Sequence, residues 1–250
     1  MLRRFEEISN NAWPALQTIH YDGWALRFAN GVTKRSNSVS MLYPSVIEPE
    51  EKISYCENLY ESRNITPCFK ITKTSEPQGI DGRLEERGYF IHSFISFQTM
   101  DISGISQEPI SDIRIETKLR PGWIDDFIRM NEFDTSRRST YIAIMNQLVT
   151  PKCLVSISRD KQTIGVGLGV AEEDFVGLFD LVVDKAYRNT GLGYLLVENI
   201  LRWGRNKGAT VAYLQVLADN LPAIRLYEKM GFSESYRYWY RMKPQPITKI

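Results

Sequence analysis

From Val176 to Val183 the chain is apolar except at Asp180, and from Leu192 the apolar residues Leu192, Leu195, Leu196, Ile200 and Trp203 recur at helical spacing. The change of period predicts a buried strand running into an amphipathic helix. That helix stops at Asn206-Lys207-Gly208, and a further strand is expected from Val211 to Val216. A second helix follows in Asn220-Leu221-Pro222-Ala223-Ile224-Arg225-Leu226-Tyr227-Glu228-Lys229-Met230-Gly231-Phe232. Asn220 suits its cap, Pro222 its first turn and Gly231 its end, while Ala223, Leu226, Tyr227 and Met230 share one face. Tyr236 to Met242 reads as the closing strand.

Upstream of this block the pattern gives a strand from Ile113 to Lys118, a helix opened by Pro121-Gly122-Trp123, and another helix around Ser139 to Leu148. Cys153 to Ser158 and Thr163 to Val170 read as strands joined at Arg159-Asp160-Lys161. Between Asp101 and Asp112 periodicity gives way to Ser, Gly, Gln, Glu and Pro, the composition of a connector. The expected division is residues 1–105 and 106–250. In the first part, Gly23 to Asn30 and Arg35 to Tyr43 look like paired strands, Glu48 to Glu61 like a helix, and Cys68 to Thr72 like a strand. Leu84-Glu85-Glu86-Arg87-Gly88-Tyr89 followed by Phe90 to Met100 parallels Tyr227 to Phe232 followed by Ser233 to Met242, so an internal repeat is expected.

Composition narrows the partners. Hydrophobic content of 43%, charged content of 24% and a net charge of +1 describe a globular chain with no electrostatic pull toward nucleic acid or membrane. Cys56, Cys68 and Cys153 are odd in number and form no C-x-x-C, which indicates neither a disulfide framework nor a zinc site, and His20 and His92 have no metal spacing. The N-terminus turns acidic at Glu6-Glu7 where a signal peptide would turn apolar. A cytoplasmic protein without a metal is expected.

The chemistry concentrates in Arg188-Asn189-Thr190-Gly191-Leu192-Gly193, where the apolar strand meets the helix. First-turn N–H groups have no intrahelical acceptor and carry the positive end of the macrodipole, so an anion completes them. Gly191 and Gly193 remove side chains that would block its approach and admit the backbone angles of a tight loop.

Together this turn and the Asn220 to Phe232 segment resemble the GNAT acetyltransferase superfamily. The first matches its acyl-CoA pyrophosphate signature, R/Q-x-x-G-x-G/A, and the second its N-x-x-A-x-x-L-Y-x-x-x-G-F segment. The order β α α β β β α β α β over residues 113 to 243 agrees with that fold, an α/β architecture on a mixed sheet. The resemblance implies acetyl-CoA as cosubstrate, a small-molecule or peptide primary amine as acceptor, and direct attack in a ternary complex. It also implies Tyr227 as the acid that protonates the leaving sulfur, although the same spacing suits a core aromatic. Backbone groups of Leu181, Val182 and Val183 would meet the pantetheine arm, and Arg188, Asn189, Thr190, Gly191, Leu192, Gly193 and Tyr194 the pyrophosphate, with Asn220 reaching the arm. Asp180, the lone ionisable side chain of its strand, is either the general base or a loop-bonding carboxylate. Some family members place a carboxylate nearer the position of Gly177, which here has none. A non-catalytic acyl-CoA-binding or sensing protein is the alternative from another class, and oligomeric state stays open.

The first half resembles the back of a GNAT domain without its chemistry. Pro49-Glu50-Glu51 stands at the glycine-rich turn and Leu84 at the tyrosine, so this half reads as degenerate and one working site per chain is expected. Gly23 to Ser38, dense in polar and aromatic residues, either lines a substrate cleft or forms a hairpin with a packed Trp24. Gly165-Val166-Gly167-Leu168-Gly169 hints at a dinucleotide turn, but Glu172-Glu173-Asp174 follows instead of a helix start, which favours a closely packed strand.

Overall fold

A computed structural model describes residues 1–108 and 113–244, so the end of the expected connector, 109–112, lies outside the described residues. The elements are α1 (Leu2–Ala12), β1 (Gln17–Tyr21), β2 (Trp24–Phe28), β3 (Val39–Met41), α2 (Pro49–Glu61), β4 (Cys68–Ile71), α3 (Ile80–Glu86) and β5 (Phe90–Asp101). They continue with β6 (Arg114–Glu116), α4 (Pro121–Asn131), α5 (Arg138–Asn146), β7 (Lys152–Arg159), β8 (Gln162–Glu172) and β9 (Phe175–Val183). α6 (Leu192–Asn206), β10 (Val211–Leu217), α7 (Leu221–Met230) and β11 (Ser233–Met242) complete the chain. Contacts divide the described residues into two units, one of Met1–Ile95 with residues 237–244, the other of Ser96–Tyr236.

In the second unit the strand order is β5-β10-β9-β8-β7-β6. β6 to β9 form an antiparallel meander, and α6 crosses over to bring β10 parallel to β9. The glycine tract of β8 explains how closely α6 packs. A Cβ on Gly169 would stand 2.6 Å from Ile200 Cγ2, and one on Gly165 would stand 3.3 Å from Leu196 Cδ1. On the helix itself a Cβ at Gly204 would stand 2.7 Å from Val176 Cβ. The tract is thus a packing surface rather than a dinucleotide turn. α4 is pinned by Trp123, fully buried, whose Nε1 donates to Val155 O at 3.2 Å.

The first unit repeats the plan in shorter form. Its strands run β1-β2-β3-β4-β11, antiparallel except for the parallel pair β3 and β4 joined through α2. Trp24, Leu26, Val39, Ile53, Tyr60, Phe69 and Leu84 fill its core. Trp24 Nε1 donates to Glu76 O at 2.8 Å, Arg27 is buried and donates to Asn10 and Trp13, and Asn37 uses its amide on Ala29, Gly31 and Thr33. These polar groups of the Gly23 to Ser38 segment are consumed inside the unit. A buried ion pair joins Glu6 of α1 to Lys70 of β4 at 2.6 Å, and burial pulls the Lys70 ammonium below its usual range.

One expectation changes. Tyr236 to Met242 reads from sequence as the strand closing the second half, yet from Arg237 onward β11 belongs to the first unit, where Trp239 pairs with Ile71 and Met242 with Cys68. Polar recognition fixes it there: Asp81 accepts Arg241 Nε at 2.8 Å, Arg241 Nη2 at 3.0 Å and Trp239 Nε1 at 2.8 Å. β5 does the converse, starting in the first unit and passing into the second at Ser96.

Candidate active site

The site is built where two parallel strands part. β9 and β10 stay in register from Val211↔Phe175 to Leu214↔Leu178, after which β9 runs on to Val183 without a β10 partner in the register. On its other side β9 remains paired to β8, Phe179 with Leu168 and Val182 with Val166. Asp180 and Leu181 together oppose the single residue Gly167, which makes a β-bulge. Asp180 carries the strain of it, at φ +50°, and is half-buried. An ionisable residue in a left-handed position on a core strand is unusual, and bulges of this kind re-aim a side chain.

Neighbouring rings close the Gly177 position on the strand. A Cβ at Gly177 would stand 2.5 Å from both Phe179 Cε2 and Tyr213 Cζ. Tyr213 stacks on Phe97 with ring centroids 5.5 Å apart and meets Phe179 edge-on at 6.0 Å.

Beyond Val183 the chain forms a braced turn. Asp184 caps a short 3-10 turn, Lys185–Tyr187, by accepting from Ala186 N at 3.1 Å. Arg188 Nε donates to Val183 O at 3.3 Å, and Thr190 Oγ1 donates to Tyr187 O at 2.6 Å. Asn189 at φ +62° and Gly191 at φ +86° then swing the backbone into α6. Gly191 is the N-cap and no side chain caps the helix, so the first-turn N–H groups of Leu192, Gly193 and Tyr194 are left for an external acceptor. The two glycines have different reasons to be there. A Cβ on Gly191 would meet nothing within 4 Å, and its φ is what selects glycine. A Cβ on Gly193 would stand 3.1 Å from Leu226 Cδ2, so this glycine lets α7 come close to the start of α6.

On α7 the structure places Tyr227 in the core of the second unit, 8% exposed, with its ring 5.9 Å from that of Phe232. Burial pushes its phenol up to about 12, so it holds its proton at any physiological pH. Asn220 caps α7 by accepting from Ala223 N at 3.4 Å, and its side chain is otherwise exposed. The pattern of the sequence had located each of these side chains; it gave no sign of the bulge at Asp180 or of Tyr213 over Gly177.

The matching place in the first unit is lined by carboxylates. Val46 N and Ile47 N, just ahead of α2, donate to the Asp22 carboxylate at 3.0 and 2.9 Å. Glu50 and Glu51 occupy the first turn of α2, where Glu50 binds Arg87 at 2.9 Å. Leu84 on α3 is wholly buried. An anion approaching this helix start meets fixed carboxylates.

Comparison with known proteins gives a consistent picture. The profile of the family described as "Probable histone acetyltransferase Rv0428c C-terminal" matches residues 1–241. The chain is 29% identical over 247 residues to the uncharacterized N-acetyltransferase YobR of Bacillus subtilis, covering 97% of this chain and 98% of that protein. A shorter match, 39% identical over 62 residues, joins 25% of this chain to 42% of the ribosomal protein bS18-alanine N-acetyltransferase of Escherichia coli. In fold, the chain resembles a GCN5-related N-acetyltransferase from Kribbella flavida, with a TM-score of 0.69 at 14% identity covering 98% of this chain and 96% of that one. It also resembles a tandem GNAT protein from the clavulanic acid biosynthesis pathway, with a TM-score of 0.62 at 12% identity covering 96% and 88%. Among the described residues no helix is long and apolar enough to cross a membrane.

Proposed function

The chain belongs to the family of the probable histone acetyltransferase Rv0428c C-terminal region, within the GNAT acetyltransferase superfamily, and on that premise we propose that it transfers acetyl from acetyl-CoA to a primary amine. The observation that carries this reading is the parting of β9 from β10 beyond Leu178 and Leu214, directly followed in the chain by the uncapped, Gly191-led start of α6. An open strand edge suits an amide-bearing arm, and bare helix N–H groups suit a pyrophosphate, so the residues present fit the cosubstrate. When bound, acetyl-CoA supplies the acetyl group as an activated thioester.

The protein's own groups then have separate tasks. Leu181, Val182 and Val183 bind the pantetheine through their backbone, Arg188 to Tyr194 hold the pyrophosphate, and Asn220 adds an amide donor. An alkylammonium acceptor titrates near ~10.4 and must lose a proton before its nitrogen can attack. Asp180, turned out of the strand by the bulge, takes that proton. Tyr227, kept neutral by burial, gives its own to the departing sulfur. No cysteine competes as a nucleophile: Cys56, Cys68 and Cys153 are buried, and burial raises each thiol to about 12. Three unpaired thiols also suit the reducing cytoplasm.

The second unit, Ser96–Tyr236, carries catalysis in this reading, and the first forms a degenerate GNAT-like domain with the carboxylates of Asp22 and Glu50 beside its corresponding helix start. The acceptor is a small-molecule or peptide amine. The test is release of free CoA from acetyl-CoA across a panel of amines, including peptides with a free N-terminal alanine, the residue named for the bS18 relative. Transfer to at least one amine is expected. Binding of CoA with no acetylation of any acceptor would replace the enzyme with an acyl-CoA sensor.

A further inference from the structure

We propose that Arg129, on α4 and far in sequence from either motif, is a positioning residue that holds the cofactor turn in its binding shape; this rests on reading Arg188 to Gly193 as the pyrophosphate cradle. Its guanidinium joins three segments. Nη1 donates to Asp184 Oδ2 at 2.9 Å, and Nη2 donates to Thr163 O at the start of β8 at 2.6 Å. Nη2 also reaches Asp126 Oδ1 on its own helix at 3.4 Å.

Asp184 passes the constraint on. Its second oxygen, Oδ1, accepts from Ala186 N at 3.1 Å, its N–H donates to Ile164 O at 2.8 Å, and its carbonyl accepts from Tyr187 N at 2.9 Å. Tyr187 O in turn accepts from Thr190 Oγ1 at 2.6 Å, one residue before the N-cap Gly191. Hydrogen bonds linked through Asp184 and Tyr187 therefore run from α4 to Thr190, the residue before the N-cap. The neighbouring tie, Lys185 to Glu132 at 2.6 Å, is 59% and 67% exposed against 41% and 20% for Arg129 and Asp184, and it joins only two segments, so it contributes less. A planar fork is needed to reach an acceptor on the turn and another on β8 at once, which an ammonium on a single stem cannot copy. Without the tie the turn samples more conformations when free, and ligand binding bears the cost of ordering it.

The test is calorimetric titration of CoA into wild type, Arg129→Ala, Arg129→Lys, Asp184→Asn and the Arg129→Ala/Asp184→Asn double variant, with thermal unfolding of each ligand-free protein alongside. Affinity is expected to fall about fivefold in Arg129→Ala, to recover in part in Arg129→Lys, and to fall no further in the double variant than in the worse single one. In turnover the KM for acetyl-CoA should rise while kcat and the KM for the amine hold. Wild-type affinity in Arg129→Ala, or in Asp184→Asn should Arg129→Ala not fold, overturns the inference and leaves the cradle standing. Strictly additive losses in the double variant overturn it too. A wild-type chain with no affinity for CoA removes the cradle itself, and the inference falls with it.

Discussion

The ring of Tyr213 lies over Gly177, such that a Cβ on Gly177 would stand 2.5 Å from Tyr213 Cζ and 2.6 Å from its hydroxyl. No side chain fits there, least of all a carboxylate. Within β9 that leaves Asp180 as the ionisable group, and the bulge gives it a way off the pleat that a regular strand would deny.

Gly177→Ala should therefore destabilise the fold. Both rings pressed by the new methyl are buried and have little room to give, so a cost of about 1–3 kcal/mol is expected. Urea unfolding of the variant measures it, and wild-type stability would show that the aromatic cluster is looser than its packing implies.

Asp180→Asn separates chemistry from structure. Asn tolerates a left-handed backbone nearly as well as Asp, so the bulge and the unfolding midpoint should survive. In the variant kcat should fall about a hundredfold while CoA affinity holds. An unchanged kcat removes Asp180 as the base.

Tyr227→Phe should lower kcat by about a hundredfold with CoA affinity retained. Its linkage to stability gives an independent check. The folded phenol is raised to about 12 by burial, against about 10 in an unfolded chain. The stabilisation is complete below the unfolded value and is lost as pH rises toward the folded one, because the unfolded chain ionises first. Between about pH 9 and about pH 11 wild type should lose about 1 kcal/mol that Tyr227→Phe does not lose. Equal losses in both proteins would mean that Tyr227 is reached by water.

Most of the second unit was legible in the sequence because its signals are local. Strand β9, helix α6, the Asn220 cap of α7 and its Gly231 stop all follow from period and punctuation within a few residues. α1 and β1 were not foreseen: α1 begins at Leu2 with no capping side chain, and β1 is a short, largely exposed strand in which only Ile19 and Tyr21 alternate with polar residues. The destination of β11 was hidden as well, since a strand's own pattern does not say which neighbour it will pair with. Asp81, which holds Arg241 at 2.8 Å, is too distant in sequence to be matched to it by inspection. The same is true of the brace between Arg129 and Asp184. At Asp180 the residue could be singled out, but its left-handed φ arises from a register shift against β8 and has no sequence signature.

The contrast between the two helix starts implies one acyl-CoA site per chain, at the start of α6. Titrating CoA into wild type and Gly191→Glu tests it most directly, with ligand-free unfolding measured for both. Gly191 lies in open space, so the glutamate costs the fold only the left-handed strain, about 1–2 kcal/mol, while setting a carboxylate where the pyrophosphate belongs. Wild type should bind a single equivalent and a folded Gly191→Glu none. A second equivalent in wild type, or undiminished affinity in the variant, would contradict it.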